Sequence, residues 1–196
     1  MTCIVGIVAR DGTVWMGGDR AGVDGTSLDI RCQPKVFRNG AFLMGFTTSF
    51  RMGQLLQHVF APPLWEGGDL MSYMVREFVE ELRSCLREGG VSKVDNAVES
   101  GGTFLVGTGG RLFSIHDDFQ VCERDCRFDA CGAGRDLALG AVEVLREVEN
   151  RRGREDPDHD TDWHQMVIDA LLVAHRFSTA VRGEYDVLSI GPEVAP

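Results

Sequence analysis

The stretch Thr2-Cys-Ile-Val-Gly-Ile-Val8, the pair Asp11-Gly12 and the run Thr13-Val-Trp-Met-Gly-Gly18 decide how this chain begins. Two short β-prone runs flank an Asp-Gly pair, which readily supplies the positive φ angles of a tight hairpin turn. The chain therefore opens inside a sheet. A second hairpin follows in Lys35-Val-Phe-Arg38 and Ala41-Phe-Leu-Met-Gly-Phe46, turning at Asn39-Gly40. The Gly- and Asp-rich residues 22–31 between the two hairpins read as a loop.

Beyond the hairpins the period changes. Met52, Leu55, Leu56, Val59 and Phe60 recur at helical spacing over residues 50–60, and Pro62-Pro63 ends the run. A longer helix is expected over residues 70–87, with Met71, Met74, Val75, Phe78, Val79, Leu82 and Leu86 in one stripe and Gly89-Gly90 as its stop. Arg76, Glu77, Glu80 and Glu81 on the opposite face make that stripe a core face and not a ligand groove. Residues 91–100 read as a linker to strands at 103–106, 111–115, 119–122 and 128–131. After Gly134 a helix over residues 136–149 should bury Leu137, Leu139, Ala141, Val142, Val144, Leu145 and Val148. The charged residues 150–160 read as a surface connection ending in an Asp160 or Thr161 N-cap. A helix over 162–178, a strand over 185–190 and a Gly-Pro tail complete the chain. This order, ββ, ββ, αα, four strands, αα, β, suits one α+β domain over residues 1–196 in which two mainly antiparallel sheets lie between two helical layers.

Composition narrows the function. With 196 residues and 43% hydrophobic content, one core is the default. A formal net charge of -10 repels phosphate backbones and anionic lipid, so neither nucleic acid nor membrane is an expected partner. No apolar run approaches the ~20 residues of a membrane span, and the first residues lack a signal-peptide pattern. Cys3, Cys32, Cys85, Cys122, Cys126 and Cys131 have no dense, regular spacing, which fits reduced thiols and a cytoplasmic location. No cofactor is expected. Cys122, Cys126 and Cys131 contain no CxxC pair, and Asp156, Asp158, His159, Asp160, Asp162 and His164 lack the central Gly and closing Glu of a calcium loop. His175 reads as a packed or surface histidine.

The opening hairpin, with Gly18-Asp19-Arg20 after it and Gln33-Pro-Lys35-Val36 further on, resembles the corresponding segments of proteasome β subunits and HslV. Asp19 and Lys35 stand sixteen residues apart, as the family's Asp and Lys do, once one extra residue is allowed in the first turn. Phe104-Leu-Val-Gly107, Gly110-Arg-Leu-Phe-Ser114 and Ala130-Cys-Gly-Ala-Gly134 are similar to the family's third hairpin and the turn before its third helix. The resemblance covers nearly the whole chain. It implies the αββα sandwich of an N-terminal-nucleophile hydrolase, a homo-oligomeric ring, room for an ATP-dependent unfoldase partner, and a peptide or small amide as substrate.

It also implies a machine. Once Met1 is trimmed, Thr2 would carry both a hydroxyl nucleophile and, in its own α-amino group, a base of pKa roughly 7.7–8.0. Lys35 would lower the pKa of that amine and stabilise the alkoxide-like oxygen, Asp19 would hold Lys35 charged, and the backbone N–H of Thr48 would serve as the oxyanion hole. The bland reading of Lys35 is a solvated strand end that contributes little to the core. Cys3 is excluded as nucleophile because it would need a second trimming to become terminal. Three positions depart from the family: Thr47-Thr48-Ser49 where Gly-Gly usually follows Ala, Ala133 where a serine is expected, and Phe177 where an aspartate is expected. Ser178 and Thr179 are the nearest hydroxyls to replace those lost. The sequence thus supports a threonine-type amidohydrolase, most simply a peptidase, with a catalytically silent scaffold of the same fold as the alternative.

Overall fold

Strand β1 (Cys3–Val8) is buried along its whole length, as its composition demands: with no charged side chain to show to water, both faces need cover. Cys3, Val5 and Ile7 enter one apolar cluster while Ile4 and Val8 enter another, the alternation a strand imposes. The computed structural model describes residues 2–95, 98–156 and 159–193, leaving aside the side chains of Asp24, Asp95 and Val98. Within it, β1 pairs with β2 (Val14–Asp19) on one side and β12 (Phe128–Gly132) on the other. Strand β13 (Tyr185–Ile190) adds to β2, giving a sheet of order β12-β1-β2-β13. The second sheet has the order β11-β10-β9-β6-β5, from β5 (Val36–Asn39), β6 (Phe42–Phe46), β9 (Phe104–Thr108), β10 (Arg111–Ile115) and β11 (Val121–Glu123). All of these pairings are antiparallel.

The sheets meet across Ile4, Val14, Met16, Val36, Leu43 and Leu105. Their approach depends on the missing side chain of Gly45, where a Cβ would lie 2.6 Å from Ile4 Cγ2 and 2.8 Å from Met16 Sδ. The outer face of the first sheet is covered by α4 (Arg135–Glu155) and α5 (Trp163–Phe177) through Ala138, Val142, Val167, Ala170 and Leu171. Helices α1 (Phe50–His58), α2 (Leu70–Tyr73) and α3 (Val79–Glu88) supply Met52, Leu56, Leu70, Leu82 and Leu86 to the cluster over the second sheet. The protein is thus α+β, with antiparallel sheets and helices packed against them.

Several local expectations need correcting. Residues 22–31 are not an open loop: β3 (Ala21–Asp24) and β4 (Ser27–Ile30) form a hairpin, with Gly25 at φ 56° turning it. The linker at 91–100 contains a small paired ribbon, β7 (Lys93–Asp95) and β8 (Val98–Ser100). The long helix after Leu70 is interrupted by a π-helical turn, Met74–Phe78, which shifts the apolar stripe and leaves Val75 49% exposed. Helix α1 stops at His58, before the prolines, and the Asn39 amide donates to the carbonyls of Leu56 and Phe60 there. Phe119 adopts φ 67°, so the strand expected from it starts only at Val121.

The charged residues after Glu149 do not leave the helix. Ion pairs at helical spacing, Arg151 with Glu147 at 3.2 Å and Arg152 with Glu149 at 2.8 Å, accompany α4 as far as Glu155. Val144, expected inside, is 64% exposed on its outer face. The N-cap of α5 is Asp162, whose carboxylate accepts from Gln165 N–H, and not Asp160 or Thr161. Among the described residues, no helix is long and apolar enough to cross a membrane.

Candidate active site

Thr2 immediately precedes β1, Asp19 ends β2 and Lys35 immediately precedes β5. Because Ile4 lies opposite Gly18, the start of β1 lies beside the end of β2. Val36 packs with Ile4 between the sheets and draws Lys35 in from the second sheet. The Lys35 Nζ then donates to three acceptors: Thr2 Oγ1 at 2.7 Å, Asp19 Oδ1 at 3.1 Å and the Ala21 carbonyl at 2.5 Å. Three acceptors match the three protons of an ammonium. The solvated-strand-end reading of Lys35 is overturned, since its exposure is 1%, Asp19 has 0% and Thr2 has 4%. A lysine buried this deeply needs its carboxylate, and deleting either partner costs about 3–5 kcal/mol.

Asp19 is fixed by the backbone. Cys3 N–H donates to its Oδ1 at 3.0 Å, and Ala21 and Arg182 N–H groups reach its Oδ2 at 3.2 Å and 3.5 Å. Next to it, Arg20 pairs with Asp186 at 2.6 Å and Glu184 at 3.0 Å, tying the end of β2 to β13. Burial pushes the Lys35 ammonium below its ordinary value, while the charge of Asp19 and the hydrogen bond to it oppose that shift. Burial also pushes the Cys3 thiol up to about 12, with Asp19 adding to the shift, so this neighbour of Thr2 stays protonated.

The turn after β6 has a sparing use of donors. Thr47 spends both its N–H and its hydroxyl on the Thr103 carbonyl, at 3.2 Å and 2.9 Å, and the Ser49 hydroxyl caps α1. Among the described residues the Thr48 N–H has no hydrogen-bond partner. Thr48 holds φ 72°, a left-handed conformation unusual for a β-branched residue and costing about 1–3 kcal/mol. The turn therefore keeps the shape a glycine would give it, without the glycine.

On the other side, Gly132 holds φ 92°, and a Cβ on it would sit 2.3 Å from the Thr2 carbonyl oxygen. The Gly134 N–H donates to that same oxygen at 3.3 Å. Ala133 between them is exposed, and Phe177 is 69% exposed. The Ser178 hydroxyl accepts from Ala180 N–H, capping its own loop. His175 takes a packed role, with Nδ1 2.6 Å from the Tyr185 hydroxyl. Of the acidic and histidine residues near 160, His159 meets Glu149 at 2.5 Å and Asp158 lies outside the described residues. No group of three metal-ligating side chains occurs among the described residues, and all six cysteines are free.

Thr2, Lys35 and Thr48 line one cavity of about 250 Å³, whose further walls include Gly22, Leu28 and Phe50. Two parts of the site were not read from the sequence. The Ala21 carbonyl is a backbone acceptor and leaves no side-chain signal; the wall formed by β3 and β4 could have been found from the alternation of Val23, Leu28 and Ile30 around Gly25.

No family model and no curated protein matches the chain. Solved structures do, and they define its class: the chain has the HslV-type proteasome β-subunit fold. Two similar structures are of BPH from Thiobacillus denitrificans. One, in complex with Epoxomicin, is 21% identical with a TM-score of 0.71, over 98% of this chain and 100% of that one. The other is 20% identical with a TM-score of 0.72, over 98% and 99%. HslV from Trypanosoma brucei is similar at 19% identity and a TM-score of 0.63, over 97% of this chain and 99% of that one.

The strain at Thr48 predicts a gain from glycine. Replacing Thr48 with Gly should raise the unfolding free energy by about 1 kcal/mol, the relief of left-handed strain exceeding the added chain entropy. Urea unfolding measures it. A loss of similar size would mean that the 3.2 Å contact between the Thr47 and Thr48 hydroxyls, and not the backbone, dictates the turn.

Proposed function

We propose that this protein is a threonine-type amidohydrolase, most simply a peptidase, whose nucleophile is the Thr2 hydroxyl after removal of Met1. Met1 lies outside the described residues. The observation that carries the reading is the 2.7 Å hydrogen bond from a buried, carboxylate-paired Lys35 to Thr2 Oγ1. In the proposed reaction the freed α-amino group takes the hydroxyl proton as the oxygen attacks an amide carbonyl. Lys35 stabilises the negative charge developing on the Thr2 oxygen, and Asp19 keeps Lys35 charged and aimed. Thr48 N–H donates to the tetrahedral oxyanion. Collapse returns the proton to the leaving amine and leaves an ester on Thr2, which water then hydrolyses.

The stacking of helices, two sheets and helices is read here as the αββα sandwich of N-terminal-nucleophile hydrolases. The same reading includes a cytoplasmic homo-oligomer, with an unfoldase as its candidate partner. A ring would hide an open threonine site from the cell's own proteins. Light scattering should therefore find at least about six chains per particle, and a clean monomer at micromolar concentration would remove the ring from this account.

Labelling of Thr2 tests the chemistry. Native protein treated with epoxomicin, the ligand named with one similar structure, or with a β-lactone should yield an N-terminal peptide that begins at Thr2 and carries the adduct. The variant Lys35→Met with Asp19→Asn removes the pair while leaving no buried charge unpaired. It should remain folded by circular dichroism yet label roughly a hundredfold more slowly. Equal labelling of both would show Lys35 to be structural only. No labelling of the native protein would favour a catalytically silent scaffold.

A further inference from the structure

The cavity at Thr2 has a neighbour. A second cavity of about 320 Å³ shares Arg31, Phe46 and Phe50 with it, and continues along Gln33, Arg51 and His58. The partition between the two is a stacked pair: the Arg31 guanidinium lies 3.9 Å over the Phe50 ring, and that ring meets Phe46 edge-on at 6.0 Å. Arg51 and His58 sit seven residues apart on α1 and so share a face of the helix.

The charge of this second cavity runs against that of the molecule. The chain carries a formal net charge of -10, yet the residues lining this cavity include Arg31, Arg51 and His58 and no carboxylate. Arg51 makes no ion pair among the described residues. Arg31 binds Asp29 through Nε at 3.1 Å, and its two terminal amino groups have no hydrogen-bond partner among the described residues. The nearest opposing charge, Asp29, lines the Thr2 cavity and is 66% exposed, where solvent screens it.

We infer that the second cavity is a subsite for an acidic side chain of the peptide acylated on Thr2, so that this site favours Asp or Glu beside the bond it cleaves. The inference rests on the proposed function and deepens it. A carboxylate reaching past Phe50 meets the unpaired edge of Arg31, whose planar fork suits bidentate binding, and then the field of Arg51. The glutamine amides and the ring faces around it hold the aliphatic part of the side chain. A lysine side chain in the same place would put like charges together.

Fluorogenic peptide amides that differ only in Glu, Gln or Lys at the residue before the scissile bond test this. Each ratio is taken within one protein, so a change in folded fraction cancels. Native protein should show kcat/KM for Glu about tenfold above isosteric Gln at low ionic strength, falling toward unity at high salt. Arg51→Glu and Arg31→Gln should each lower the Glu-to-Gln ratio several-fold, and Arg51→Glu should raise the Lys-to-Gln ratio. A Glu-to-Gln ratio near one in protein whose Thr2 still reacts with a small β-lactone overturns the subsite alone. A clear Glu preference untouched by both substitutions also overturns it. Native protein that fails to react with the β-lactone overturns the reading of the site, and the subsite falls with it.

Discussion

Lys35 carries its ammonium into the interior with 1% of its surface exposed, and an isolated charge there would cost several kcal/mol. Three acceptors offset that cost: the Thr2 hydroxyl, the Asp19 carboxylate and the Ala21 carbonyl. Thr2, the segment from Asp19 to Ala21, and Lys35 itself come from three different points of the chain, so the ion pair survives only where the start of β1, the end of β2 and the approach to β5 coincide. The demand works in both directions. The fold brings the three together, and their mutual satisfaction penalises any register that separates them.

The surrounding architecture serves that coincidence. Gly45 lets the two sheets come close enough for Val36 and Ile4 to share a core, and Gly132 lets the Thr2 backbone lie against β12. Backbone donors from Cys3, Ala21 and Arg182 aim the Asp19 carboxylate toward Lys35. Strain is tolerated at one edge of the site, where Thr48 holds a left-handed conformation and keeps its N–H free of partners among the described residues. The proposed chemistry asks for such a donor beside such an ammonium.

Much of this was legible in the sequence. The hairpins at Asp11-Gly12 and Asn39-Gly40, the main strands and the helix stripes follow from periodicity and turn chemistry, and the resemblance to proteasome β subunits and HslV pointed to the Asp19 and Lys35 pair. What escaped has physical causes. The depth of Lys35 depends on how closely two sheets approach, which residue patterns do not state. The hairpin at residues 22–31 hides behind Gly and Asp that look like loop residues, and α4 runs on through a charged stretch in which ion pairs sit at helical spacing. The Ala21 carbonyl and the Arg182 N–H are backbone groups, to which side-chain reasoning is blind. Ala133 and Phe177 stood out as departures from the family, but both are exposed.

The proposed chemistry has Lys35 lower the pKa of the freed Thr2 amine electrostatically, in a site where Thr2, Asp19 and Lys35 are all buried. The pKa of that amine, followed by nitrogen NMR on threonine-labelled protein after Met1 removal, reports it directly. The account predicts titration below the ordinary range of roughly 7.7–8.0 in the native protein, and a return toward that range when Lys35→Met and Asp19→Asn neutralise the pair. An amine that titrates at or above the ordinary range and does not move in the neutral variant would contradict it.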